Sequence, residues 1–169
     1  DKFWELPEIE RDEGVGFFRT AALHLDTAGA RLIAKQLEWQ ADNIQKQFVA
    51  AVEAADLKLT AVCLDLGAAI ERPLVVAAAA GVRPLHAAIN NGSYDLARLL
   101  IERGADRHAL SYDGSAALHL AVSKKDVAAV NAVLETRAAK VCNLDLPDRQ
   151  GLSALHLAIQ LAEPALAMR

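Results

Sequence analysis

Five histidines, two cysteines and a few loop carboxylates are the groups of this 169-residue chain whose types and spacing suggest chemistry. His86, His119 and His156 each follow a leucine, and they recur at spacings of 33 and 37 residues. A zinc ion needs its ligands converged at about 2.0–2.1 Å. Side chains at one place in successive structural units lie instead roughly 8–10 Å apart, the separation of packed helices. The row is therefore structural, and neither a metal nor another cofactor is expected. His24 stands in a similar Leu-His pair and is expected to play the same part, whereas His108 falls in a loop as the histidine with surface freedom. Nucleophile signatures are missing: there is no Gly-x-Ser-x-Gly elbow, no Cys-x-x-Cys and no phosphate loop, and Gly14-Val15-Gly16-Phe17-Phe18-Arg19 lacks the third glycine of a dinucleotide fingerprint. Asp145 and Asp148 lie three apart beside Pro147, but loop acids flanking proline are turn formers. The expectation is a protein that is not an enzyme and takes no small-molecule substrate.

The elements that carry these residues follow from composition. Lys and Arg number 18 against 22 Asp and Glu, a net charge of −4 that lacks the clustered cations a nucleic acid partner requires. A hydrophobic share of 53% excludes a disordered tail, yet no apolar run approaches the roughly 20 residues of a membrane helix, so membrane insertion is not expected. Alanine is about one residue in five and aromatics are 5%, which calls for thin, closely spaced helices and an all-α fold. Cys63 lies in the apolar helical run from Leu57 to Leu66, and Cys142 in a polar connection some two units later. That separation exceeds the roughly 7 Å Cα limit for a disulfide. Two free thiols suit a reducing compartment, and the cytoplasm is expected. The start at Asp1 leaves a processed periplasmic or secreted form as the alternative.

Three segments repeat: Gly81-Val82-Arg83-Pro84-Leu85-His86-Ala87-Ala88, Gly114-Ser115-Ala116-Ala117-Leu118-His119-Leu120-Ala121 and Gly151-Leu152-Ser153-Ala154-Leu155-His156-Leu157-Ala158. Between the first two lie a short helix, the Asn91-Gly92 turn, a second helix and the Gly104-Ala105 stop, so each unit is a helical hairpin. Pro84 suits a first helical turn and Gly104 a helix end. Ala87, Ala88, Ala121 and Ala158 let helices approach, while Leu85, Leu118, Leu155, Leu96, Leu99 and Leu100 supply buried faces. One hairpin cannot bury its apolar surface alone, and stacking several does so.

These residues resemble the ankyrin repeat, whose pattern runs Gly-x-Thr-Pro-Leu-His-x-Ala-Ala and closes on Leu-Leu…Gly-Ala. The unit from Gly81 to Asp113 is closest, with Arg83 in place of threonine. The next has Ala116-Ala117 for Thr-Pro and loses its Gly-Ala end at Arg137-Ala138-Ala139; its extra residues are expected between Val141 and Gln150. The last breaks off as its second helix would start near Pro164. Upstream, Phe48 to Ile70 keeps only the Gly67-Ala68 end, and Thr20-Ala21-Ala22-Leu23-His24-Leu25 mirrors Ser115 to Leu120 before Leu37 to Asp42, which resembles a helix end. Glu71 to Ala80 is a long connection that disturbs the register. The resemblance implies an ankyrin-repeat solenoid of stacked helical hairpins, about five units with the first two degenerate: approximately 20–45, 46–80, 81–113, 114–150 and 151–169. It also implies that the repeated histidines hydrogen-bond within and between units.

The resemblance further implies a protein–protein interaction module, an adaptor, inhibitor or immunity-type protein, holding its partner on the concave and finger surface. At matching positions the candidate contacts are Tyr112, Asp113, Ser115, Arg149, Gln150 and Leu152 in the fingers and Asn90, Asn91, Ser123, Lys124 and Gln160 along the helices. Tyr112 and Arg149 are the preferred anchors, because tyrosine and arginine concentrate binding energy. Alanine richness suggests a bacterial source. The alternative is an accessory domain of a larger enzyme or bacterial effector whose catalytic part lies elsewhere. Residues 1–19 mix Phe3, Trp4, Leu6 and Ile9 with acidic residues, either as a cap over the first unit with Trp4 buried or as an element that binds a partner.

Overall fold

The structure, a computed structural model, describes residues 15–16, 18–20, 23–24, 27–36, 41–74, 82–134 and 142–161. Its described helices of defined extent are α1 (Thr27–Gln36), α2 (Ala41–Glu53), α3 (Leu57–Asp65), α4 (Pro84–Asn90), α5 (Tyr94–Glu102), α6 (Ala117–Ser123), α7 (Val127–Leu134) and α8 (Ala154–Gln160). No strand occurs among the described residues, only an antiparallel bridge between Leu74 and Val82. The chain divides into two compact units: one holds the described residues up to Ala51 together with Asp56–Ala69, the other Val52–Ala55 and the described residues from Ile70 onward.

In the first unit α3 begins where the Asp56 carboxylate accepts the Leu59 N–H at 3.0 Å, satisfying a helix donor that has no partner inside the helix. Leu59, Ala61, Val62 and Cys63 turn inward, and Phe18 and Phe48 are fully buried in the same unit. The Gln45 side chain on α2 clasps the backbone after α3, donating to Ala69 O at 3.3 Å and accepting from Ala69 N at 2.8 Å. Chain exit from α3 is thereby set by one amide.

In the second unit α4 pairs with α5 and α6 with α7 as hairpins, while α6 also packs on α4 and α8, and α7 on α5. Ala88, Ala117, Ala121 and Ala158 stand at the helix contacts without large side chains, so the buried Leu85, Ile89, Leu96, Leu100, Val130 and Val133 reach across. Each such side chain contributes about 1.5–3 kcal/mol on burial. The turn inside each hairpin is the same device: Ser93 N–H bonds to Ala88 O at 2.9 Å and Gly92 N–H to Ile89 O at 3.1 Å, with Gly92 at φ +71°. Ala55 and Lys125 take that left-handed position in the other two hairpins, at φ +54° and +56°, although neither is glycine.

Several expectations are corrected. Ala41 and Asp42, read as part of a helix end, instead open α2. Leu23 and His24 are exposed, so the likeness of Thr20 to Leu25 to the buried Leu118-His119 start is not realised. Leu155, expected in a buried face, is 48% exposed because no described element covers that side of α8. The extra residues of the long unit lie before Asn143, not throughout the Val141–Gln150 connection: Asp106 Oδ1 accepts from His108 N and Asn143 Oδ1 from Asp145 N, so the 37-residue offset is already in place at Asn143. α7 still keeps the 33-residue offset from α5, which puts the insertion between Leu134 and Asn143. Trp4 and the start of a helix near Pro164 lie outside the described residues.

Candidate protein-binding surface

The surface begins with the buried histidines, because they hold the loops that carry it. His86 Nε2 donates to Ser115 O at 3.0 Å and His119 Nε2 to Leu152 O at 3.1 Å, so each ring ties its own helix to the finger loop of the following unit. The other nitrogen shows what the residue three positions earlier does. Ser153 Oγ lies 2.8 Å from His156 Nδ1; Ala116, lacking a hydroxyl, offers only its N–H to His119 Nδ1 at 3.3 Å. Arg83 offers neither, and His86 Nδ1 is buried without a partner among the described residues. Burial pushes the His86 pKa below 6.5 and so favours the neutral ring, and the Ser115 bond partly opposes that shift. The Arg83 side chain instead reaches Glu71 Oε2 at 2.9 Å and Leu110 O at 3.0 Å, joining two finger loops.

Each finger is closed locally. In the first, Ser111 N–H bonds to Ser115 O at 2.9 Å and Asp113 Oδ1 accepts from Ser115 N at 3.1 Å. In the second, Asp148 N–H bonds to Leu152 O, and Asp148 Oδ1 accepts from Gln150 N at 2.8 Å and Leu152 N at 2.9 Å. The backbone bond from Leu152 is the main reason the Asp148 pKa lies below the usual carboxylate range. Asp148 is thus a turn former. Gly114 and Gly151 sit at φ +80° and +77° at the tips, a conformation other residues adopt only at a cost.

The candidate contacts fall into two groups. Tyr112, Asp113 and Ser115 share one finger and Arg149, Gln150 and Leu152 the next; the Arg149 guanidinium carbon lies 5.8 Å from the centroid of the Tyr112 ring. Tyr112 is 75% exposed, and Asp113, Arg149 and Gln150 are exposed with it, while Ser115 and Leu152 are half-buried and engaged through their backbones. Asn90, Asn91, Ser123, Lys124 and Gln160 are exposed at the far ends of α4, α6 and α8, one short helix or about 10 Å away. There Lys124 Nζ donates to Asn90 O at 2.8 Å, and Ser123 Oγ bonds back to His119 O at 2.9 Å. Lys124 is therefore a link between hairpins as well as a surface charge.

Other residues in these loops carry weight that the sequence pattern did not reveal. His108, expected to be free, is held between fingers: Asn143 N–H donates to its Nε2 at 2.7 Å, and its Nδ1 lies 3.4 Å from Asp106 Oδ1. Glu71 Oε1 accepts from Asp106 N at 2.7 Å. Arg107 is buried, and its guanidinium donates to Val133 O at 3.0 Å. Leu110 and Leu144 are exposed on the loops. Cys63 is buried and its thiol pushed up to about 12, chiefly by burial; Cys142 is half-buried, and both are free. Among the described residues no group of three or more His, Cys, Asp or Glu could hold a metal, and no helix is long and apolar enough to cross a membrane.

Hairpins repeated at 33 and 37 residues, with histidines bonded from one to the next, have a counterpart among known families. A match described as ankyrin repeats in three copies covers residues 48–145 and 85–167. The chain belongs to the ankyrin-repeat family. A B-cell lymphoma 3 protein homolog from mouse is 34% identical over 76 residues, 45% of this chain and 17% of that protein. The BTB/POZ domain and ankyrin repeat-containing protein NPR2 of rice is 34% identical over 87 residues, 52% of this chain and 13% of that one. The crystal structure of the ankyrin repeat domain of Bcl-3, titled a unique member of the IkappaB protein family, superposes with a TM-score of 0.64 at 25% identity, over 72% of this chain and 54% of that one. The ankyrin chain thus spans less than a fifth of the curated relatives it matches. These relatives come from mouse and rice, and the expectation of a bacterial source is not supported. Ankyrin repeats are protein–protein interaction modules, and the solenoid of stacked hairpins anticipated from the sequence is the one found.

Proposed function

We infer that this ankyrin chain is a non-enzymatic interaction module, an adaptor or inhibitor, that holds a protein partner on its fingers and on the exposed ends of α4, α6 and α8. The observation that carries this reading is the Tyr112–Arg149 pair: a tyrosine three-quarters exposed, on loops held by backbone and histidine bonds, is a rigid anchor offered to solvent. Asp113, Ser115, Gln150 and Leu152 surround it, and Asn90, Asn91, Ser123, Lys124 and Gln160 extend the surface. The net charge of −4 favours a protein over a nucleic acid, and two unbridged thiols fit a reducing, cytoplasmic setting. Because the ankyrin segments matched in the relatives are small parts of longer chains, an accessory role beside another domain is the second reading.

Affinity capture with mass spectrometry, run in parallel on the wild type, Tyr112→Ala and Arg149→Glu, tests the surface. Specific partners are expected to be lost from both variants at unchanged melting temperature. A partner retained at full strength by both binds elsewhere and refutes the assignment.

A further inference from the structure

Tyr112 and Arg149 occupy the same finger position in successive units, 37 residues apart, and the guanidinium carbon lies over the ring at 5.8 Å from its centroid. The stem of Arg149 crosses Gly114, where a Cβ would overlap Arg149 Cγ and come within 2.8 Å of Cδ and Nε. An arginine whose stem lies against a glycine has already given up much of its rotamer freedom, a cost a ligand then does not incur. Among the described residues nothing accepts a hydrogen bond from this guanidinium. Other arginines are committed: Arg83 to Glu71 and Leu110 O, Arg98 to Asp95, and Arg107 to Val133 O.

A guanidinium within cation–π reach of an aromatic ring, with no acceptor among the described residues, keeps its N–H edges available, and those edges match a carboxylate with two parallel hydrogen bonds. We propose that the Tyr112–Arg149 pair is the docking point for an Asp or Glu side chain of a partner protein, with an adjoining apolar residue resting on Tyr112 and Leu110. Leu110 is 45% exposed two residues before Tyr112, an apolar side chain on the loop that carries the ring. The chemistry favours a carboxylate over a phosphate. One guanidinium balances one negative charge, whereas Asp113 and Asp148 on the same loops and the net charge of −4 oppose a dianion or a nucleic acid backbone. This rests on the reading of the fingers as the partner surface.

The test selects random dodecapeptides displayed on phage against the full chain. The selected peptides are then measured by fluorescence anisotropy, with acidic residues intact or replaced by Gln or Asn, against the wild type, Arg149→Met, Arg149→Lys and Tyr112→Ala. Enrichment of Asp or Glu next to an apolar residue is expected. Either the amide replacement or Arg149→Met should weaken binding roughly tenfold or more, the loss of a charge-assisted pair, with no further loss when the two are combined. Arg149→Lys keeps the charge without the fork and should fall between. Peptides that shift the NMR amide signals of 110–115 and 147–152 but lack an acid, or ignore Arg149→Met, overturn the carboxylate assignment and leave the finger surface standing. Peptides whose shifts lie away from both fingers overturn both readings. Stronger competition by inorganic phosphate or oligothymidylate than by the acidic peptide, or a library yielding no binder, also counts against the proposal.

Discussion

At the residue scale, the repeated histidine shows how one position serves different ends according to its neighbour. Where Ser153 precedes it, a hydroxyl meets the ring; where Arg83 does, the ring nitrogen of His86 stays buried and, among the described residues, unpaired while the arginine joins Glu71 to Leu110. The consequence is a pH dependence of stability. Burial lowers the folded-state pKa of His86 below its ordinary 6.5, so the unfolded chain binds the proton more readily. His86 therefore leaves stability undiminished above about pH 6.5 and reduces it as the pH falls from there toward the lower folded value. Urea midpoints should drop between pH 7.5 and 5.5, and His86→Gln, which does not titrate, should flatten that drop; equal slopes would assign the proton to another group. The Leu-His signature made this residue legible as structural. His108 carried no such signature, and the bond it accepts from Asn143 joins residues 35 apart in the chain.

At the element scale, helices at equivalent places in the repeat meet different surroundings. Leu118 and Val122 on α6 are 6% and 3% exposed because α8 lies against them, whereas their counterparts on α8, Leu155 and Ile159, are 48% and 64% exposed. Leu118→Ala should therefore cost about 2–5 kcal/mol, the price of a cavity, and Leu155→Ala within roughly 0.5 kcal/mol of nothing, both read from chemical denaturation. Similar losses at the two sites would show that α8 is covered in solution. The hairpin turns offer a second measurement. Lys125 holds the left-handed conformation that Gly92 holds in the preceding hairpin. A left-handed non-glycine residue costs roughly 1–2 kcal/mol, against about 0.5–1 kcal/mol for the added freedom of an unfolded glycine. Lys125→Gly should consequently raise the melting temperature, and a fall would mean that the lysine side chain contributes more than its strain.

At the scale of the whole molecule, stability in the second unit is passed from hairpin to hairpin, since α6 touches α4 and α8 and α7 touches α5. Elements with fewer neighbours open first. In hydrogen exchange read by mass spectrometry, the backbone amides of α8 should exchange faster than those of α6, and equal protection would contradict the end position of α8 in the described stack. The local pattern of leucine, histidine, alanine and glycine sufficed to establish the family, the hairpin and the buried positions of the central units, because each is a matter of which side chains share one helical face and where the backbone must turn. Tyr112 and Arg149 were legible as exposed finger residues for the same reason. Their approach to 5.8 Å, the commitment of Lys124 and His108 to neighbouring units and the exposure of Leu155 were decided only by the tertiary structure. Each depends on which atoms an adjacent hairpin brings within reach, and a repeat read one unit at a time does not contain that distance.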